Sequence, residues 1–239
     1  GQIMKTIYHA ADSRGSADHG WLRSRHTFSF ANYHNPERMS FGALRVINDD
    51  FVIGGQGFGK HSHRDMEIIS IPLSGKLAHG DNMGNAGIIE TGEIQVMSAG
   101  TGITHSEMNG DTHEPMTFLQ IWVMPNTMSV EPRYQQWHMD ENMRANTFNQ
   151  VLSPHIDDAG VWIHQNAWFH MGHFDKKVTH TYELKNSGNG VYVLVLEGQV
   201  SINDRTLATR DGLGIWDTKG FTMDVIEPAR VLVMEVPMH

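Results

Sequence analysis

Gly55-Gln56-Gly57-Phe58-Gly59-Lys60-His61-Ser62-His63-Arg64-Asp65-Met66-Glu67 is answered, forty-two residues beyond His63, by His105-Ser106-Glu107. In an extended strand alternate side chains share a face, so His61 and His63 point one way, and His105 and Glu107 do the same on theirs. If two such strands are neighbours in a barrel, their donors converge on one metal ion. The glycines at 54, 55, 57 and 59 suit bulges or a sharp barrel corner. A phosphate-binding reading of them is weak, because the spacing is not G-x-G-x-x-G and no helical pattern follows.

Continued as one regular strand, the stretch places His61, His63, Asp65, Glu67, Ile69, Ile71 and Leu73 on a single face. That is polar chemistry at a barrel mouth running into an apolar core. Asp65 and Glu67 then compete for the carboxylate position. Glu67 shares the face of the imidazoles but lies about 13 Å along the strand from His63, at ~3.3 Å per residue. Either could instead orient a ligand imidazole by accepting its second N–H, or cap a turn.

Beyond this stretch the chain is polar in balance and free of cysteine. Acidic residues outnumber basic ones 27 to 18, for a formal charge of −9. This argues against a general affinity for nucleic acid or for an anionic membrane surface. The 239 residues, 39% hydrophobic, are enough for one large domain or two smaller ones with real cores. The absence of cysteine removes disulfides, thiol nucleophiles and thiolate metal sites, so any metal must be held by histidine and carboxylate. No apolar run reaches the length of a membrane span, and Gly1-Gln2-Ile3-Met4-Lys5-Thr6 lacks the apolar core of a leader, so a cytoplasmic protein is expected.

The periodicity is that of short strands. His26 to Phe30, Ala43 to Ile47, Ile94 to Ser98 and Phe118 to Met124 read as strands, with turns at Asn48-Asp49-Asp50, Ser74-Gly75 and Asp81 to Asn85. Between Asn126 and Asn149 the alternation fades, which predicts a connection with a short helix around residues 140–145. Strand patterning resumes at Val161 and peaks at Val191 to Leu196.

The two halves also resemble each other. Leu73-Ser74-Gly75-Lys76-Leu77 parallels Leu196-Glu197-Gly198-Gln199-Val200, and Gly92 before Ile94 parallels Gly212 before Leu213. These offsets set Leu184 and Asn186 against His61 and His63, and Val225 against His105. A duplicated barrel whose second copy has lost its ligands is the economical reading. His164, His170, His173 and His180 are accordingly expected to be surface or hydrogen-bonded core residues, and Trp122, Trp162, Trp168 and Trp216 to be packing.

Gly55-x5-His61-x-His63-x3-Glu67 resembles the first cupin motif, with its closing Gly75 one residue late. Gly92-x5-Ser98-x-Gly100, leading to His105-x3-Asn109, resembles the second, with Ser98 in place of the common proline and two extra residues before the histidine. His19-Gly20-Trp21-Leu22, His26 to Tyr33, Leu44 to Asp50, His61 to Ile68 and Gly100 to Glu107 together resemble the pirin family, and within it the bacterial pirin-like quercetin dioxygenases. The resemblance implies an all-β bicupin of two tandem antiparallel jelly-roll barrels. The metal site would lie in the N-terminal barrel alone, residues 1–132, with a connection and a ligand-free cupin over 133–239.

By the same resemblance the metal is held by His61, His63, His105 and Glu107, which decides the carboxylate contest against Glu67. Fe(II) is the expected ion, with Ni, Cu, Mn or Zn able to occupy the same donors. The implied substrates are a flavonol, bound through its 3-hydroxyl and carbonyl with Glu107 as general base, and O2. The rival is a non-enzymatic metal- or redox-sensing co-regulator that binds a protein partner, as the animal pirins suggest. A third reading is a cupin isomerase or small-molecule binder. A monomer is expected, since a second barrel can cover the edge that single cupins bury by pairing.

Overall fold

Three sheets are built from strands of two kinds, some alternating in burial, as Leu22–His26 and Ile103–Asn109 do, and some buried almost throughout, as Glu67–Ser74 and Glu93–Ser98 are. The computed structural model describes residues 4–239; Gly1-Gln2-Ile3, part of the segment read above as lacking a leader's core, lies outside the described residues. The first half carries β1 (Lys5–His9), β2 (Gly15–Asp18), β3 (Leu22–His26), β4 (Leu44–Val52), β5 (Gly57–His63), β6 (Glu67–Ser74) and β7 (Lys76–Asp81). It continues with β8 (Ala86–Glu90), β9 (Glu93–Ser98), β10 (Ile103–Asn109), β11 (Met116–Val123) and β12 (Arg133–His138). The second half carries β13 (Phe148–Ser153), β14 (Val161–Trp162), β15 (Trp168–Phe174) and β16 (Thr179–Glu183). Last come β17 (Asn189–Ile202), β18 (Arg205–Leu207), β19 (Gly212–Trp216) and β20 (Gly220–Pro237). The short helix expected around residues 140–145 is a single 3-10 turn, Asp140–Asn142.

A seven-stranded sheet, β12-β9-β6-β11-β4-β3-β2, faces a four-stranded one, β5-β10-β7-β8. Between them lies the interior of the first barrel. Its floor is Leu22, Val52, Leu77, Ile89, Met116 and Phe118, drawn from both sheets. The opposite face of the seven-stranded sheet packs on the nine-stranded sheet of the second half: Ile69, Ile71, Leu119 and Ile121 share one buried cluster with Leu152, Phe169, Tyr192 and Leu232. The second half adds a core of its own, including Val193, Phe221 and Val233.

Sheet membership crosses the division expected at residues 132 and 133. β12 lies just beyond it yet pairs with β9 at the edge of the first sheet, while β1 pairs antiparallel with β19 of the second half. The repeated turn glycines behave alike. Gly75 and Gly198 have φ of +73° and +84°, a region costly to any residue with a Cβ. At Gly198 a Cβ would also meet the Pro228 carbonyl oxygen at 1.9 Å.

Two expectations about continuous strands are corrected. β3 ends at His26, and Phe30 forms only an isolated bridge with Tyr33. The intervening backbone is tied instead to the following loop, with Ser29 N donating to Arg38 O and the buried Arg38 Nε donating to Thr27 O. More consequentially, no single strand runs from His61 to Leu73. The chain leaves β5 at His63, turns through Asp65 at φ +49°, and enters the other sheet as β6. The alternation is reset, so Ile68 and Ser70 face the barrel interior while Ile69 and Ile71 face the second half.

The expectation of surface or hydrogen-bonded core histidines in the second half holds for His180 but not for His170 and His173, whose Nδ1 and Nε2 respectively are buried without a partner. His180 Nε2 lies 2.7 Å from the Asn146 carbonyl oxygen, and His170 is 5% exposed with its ring 5.2 Å from that of Tyr182. Burial, reinforced by Lys185, lowers the His170 pKa to about 4. The unfolded chain, with a pKa of 6.5, therefore binds more protons between these values, and stability falls as pH drops through that window. His170→Leu is expected to lose about 2 kcal/mol less stability than the parent between pH 7 and pH 5. Urea titrations at the two pH values check this.

Candidate metal centre

β10 carries the site because its alternation is strict: Ile103, His105, Glu107 and Asn109 are buried, and the residues between them are partly exposed. β5 runs antiparallel beside it, with His61 opposite His105 and His63 opposite Ile103. A bulge in the pairing falls between His105 and Glu107, and such a kink re-aims neighbouring side chains. One nitrogen each from His61, His63 and His105 lie within 4.8 Å of one another. Among the described residues this is the one such group of three or more potential ligands.

The donor chemistry fits a transition-metal ion. His61 Nδ1 lies 2.7 Å from the Gly59 carbonyl oxygen, an acceptor that fixes the proton on Nδ1 and leaves Nε2 with a free lone pair. The Nε2 atoms of His63 and His105 approach to 3.1 Å. Burial, with the neighbouring imidazoles adding to it, lowers His63 to about 4 and His105 to about 3, so both are neutral donors at pH 7. His105 is otherwise fixed by packing: its ring centroid lies 4.3 Å from that of His61 and 5.9 Å from that of His79, and its Nδ1 is buried without a partner.

Glu107 is fully buried, with Oε1 3.8 Å from His105 Nε2. Ser70 Oγ donates to Oε2 and Gln120 Nε2 donates to Oε1, each at 2.8 Å. Burial outweighs these donations and pushes the carboxyl up to about 7. A cation among the imidazoles would favour the carboxylate and draw that value down. The structure thus gathers His61, His63 and His105 within 4.8 Å of one another, with Glu107 beside His105 and outside that group of three.

Asp65 and Glu67 do not belong to this group. Asp65 Oδ1 accepts from Ser129 N at 2.7 Å, which ties its turn to the loop that follows β11. Glu67 Oε1 accepts from Ser98 Oγ and from His164 N, the latter at 2.6 Å, and so ties the first barrel to the second half. Neither carboxylate contacts a ligand imidazole, because the turn at Asp65 puts β6 in the other sheet.

Sequence reading missed the supporting residues. Ser70 and Gln120 interrupt apolar strands at Ile69-Ser70-Ile71 and Leu119-Gln120-Ile121, and that interruption was the available signal. It also missed His79, whose Nε2 lies 2.7 Å from Asp81 Oδ2 one strand away from His105, and whose ring lies 4.5 Å from that of Tyr134. On the other side of the site Trp122 lies 5.2 Å from His63 and 5.5 Å from Phe30, centroid to centroid, forming an aromatic wall.

Known proteins of this kind are numerous. The Pirin profile matches residues 8–123, and the profile of the quercetinase C-terminal cupin domain matches residues 150–236. The chain is 42% identical over 227 residues to a quercetin 2,3-dioxygenase of Escherichia coli, covering 95% of this chain and 96% of the relative. It is 38% identical over 225 residues to a pirin-like protein of Caulobacter vibrioides, covering 94% and 96%. The crystal structure of the bacterial pirin YhhW from Escherichia coli in complex with nickel(II) superposes with a TM-score of 0.92 at 40% identity, covering 98% of this chain and 99% of that one. Its two cupin domains, all-β architecture and sequence together make the chain a member of the pirin family, with a bicupin fold.

Proposed function

We propose that the protein is a metal-dependent dioxygenase acting on flavonols such as quercetin, at a mononuclear centre held by His61, His63, His105 and Glu107. The observation that carries this reading is the convergence of three imidazole nitrogens within 4.8 Å beside a buried carboxylate. The names of the full-length relatives supply the reaction class. We assign Fe(II) as the working ion, because neutral imidazoles with one carboxylate suit non-haem oxygen chemistry; nickel(II), as bound by YhhW, is the alternative. When bound, the ion supplies Lewis-acid polarisation of the substrate oxygens and activation toward oxygen.

The chain's own residues do the rest. His61, His63 and His105 donate nitrogens and Glu107 an oxygen, which on a five- or six-coordinate ion would leave one or two positions for substrate. Trp122 stands edge-to-face with His63 and with Phe30, an apolar aromatic flank beside the imidazoles suited to an aromatic substrate. Glu107 accepts the 3-hydroxyl proton as general base. The resulting electron-rich enolate takes up O2, both oxygen atoms enter the ring-opened ester, and one ring carbon leaves as carbon monoxide.

Iron-loaded protein is expected to consume oxygen with quercetin and release carbon monoxide, and His61→Ala to do neither. An oxygen electrode with a carbon monoxide trap decides it. Equal oxygen uptake by the parent and by His61→Ala would remove the proposal. A parent that binds metal tightly without consuming oxygen would shift the reading to the metal-sensing co-regulator.

A further inference from the structure

The grip on Glu107 is more specific than burial requires. The carboxylate reaches from β10 across the barrel to the facing sheet, where Ser70 and Gln120 stand directly opposite each other on β6 and β11. Each donor takes a different oxygen, so the carboxylate plane is fixed at both ends. Oε1, with Gln120 on one lone pair, is the oxygen recorded 3.8 Å from His105 Nε2 and keeps its other lone pair free. Oε2 is engaged by Ser70. A carboxylate swung round to offer both oxygens equally to one ion would have to turn out of the plane that Ser70 and Gln120 fix at its two ends, at a cost in hydrogen bonding.

We propose that Ser70 and Gln120 are positioning residues that hold Glu107 as a one-oxygen ligand through Oε1, leaving open a coordination position that a two-oxygen substrate needs. This rests on the reading of Glu107 as a ligand. Neither residue touches substrate or metal. Both act by orienting a group that does, which is the usual work of the hydrogen-bond partners of metal ligands.

The test uses the full chain, stripped of metal and reloaded. Nickel(II) affinity is measured by chelator competition, and copper(II)-loaded protein is examined by electron paramagnetic resonance. Ser70→Ala and Gln120→Leu are each expected to change nickel(II) affinity about 10- to 100-fold and to alter the copper(II) spectrum, with Ser70→Thr restoring both. Parent-like affinity and spectrum in Ser70→Ala would overturn the proposal, as would a loss of melting temperature in the metal-free protein without any change at the metal. Should Gln120→Leu fail to fold, the Ser70→Ala and Ser70→Thr pair decides alone. Glu107→Gln separates the two levels of argument. If it leaves affinity and spectrum unchanged, the four-ligand centre falls and this proposal with it; if it changes both while Ser70→Ala does not, only the positioning role falls.

Discussion

His105→Ala is expected to weaken metal binding on the order of 10³-fold, about a quarter of the binding free energy of a four-ligand site, and to abolish oxygen uptake with quercetin. His105 is the pivot of the cluster, its Nε2 lying 3.1 Å from His63 Nε2 and 3.8 Å from Glu107 Oε1. No other imidazole can take its place: His79 sits one strand away and is committed to Asp81. The cleanest readout is thermal. A bound ion raises the melting temperature of the parent with the logarithm of its concentration over Kd, and at metal concentrations below the weakened Kd that increment should vanish in His105→Ala. An undiminished increment would show that the ion sits elsewhere.

Phe169→Ala is expected to destabilise the protein by about 4 kcal/mol, within the range for deleting a fully buried aromatic ring. Phe169 has no exposed surface and belongs to the cluster that joins the two halves, with Ile69 and Leu119 on one side and Tyr192 and Leu232 on the other. The void would open in the core cluster that residues of β6 and β11 share with the second half. The loss should therefore be cooperative over the whole chain, visible as a single shifted urea transition followed by both tryptophan fluorescence and far-ultraviolet dichroism. Two separate transitions would mean that the halves hold together independently of this core.

The imidazoles were legible in the sequence for a physical reason. His61, His63 and His105 stand at period-two spacing beside turn signals, and cysteine-free chemistry leaves few other ways to bind a transition metal. Glu67 misled because its reading assumed an unbroken strand. The break is made by Asp65 at positive φ, a conformation that glycine would have advertised and aspartate did not. Ser70 and Gln120 were visible as polar interruptions, but their purpose depends on the facing of two sheets, which no local pattern encodes. The duplicated turn at Gly75 and Gly198 was legible because a left-handed residue leaves a compositional mark. The placement of β1 in the second half was not, because a pairing across some two hundred residues leaves no trace in the spacing of either partner.

That pairing bears on how the protein is made. Lys5–His9 leaves the ribosome some two hundred residues ahead of Gly212–Trp216, the strand it pairs with residue for residue. At typical rates of synthesis the interval is ~10–40 s. Throughout it β1 lacks its partner β19, while the barrel that carries the three imidazoles can already close around β10. Vectorial synthesis thus completes the half that carries the imidazoles before Lys5–His9 has found its place, and a chain terminated before residue 212 would leave Lys5–His9 as an unmatched strand open to pairing with another molecule.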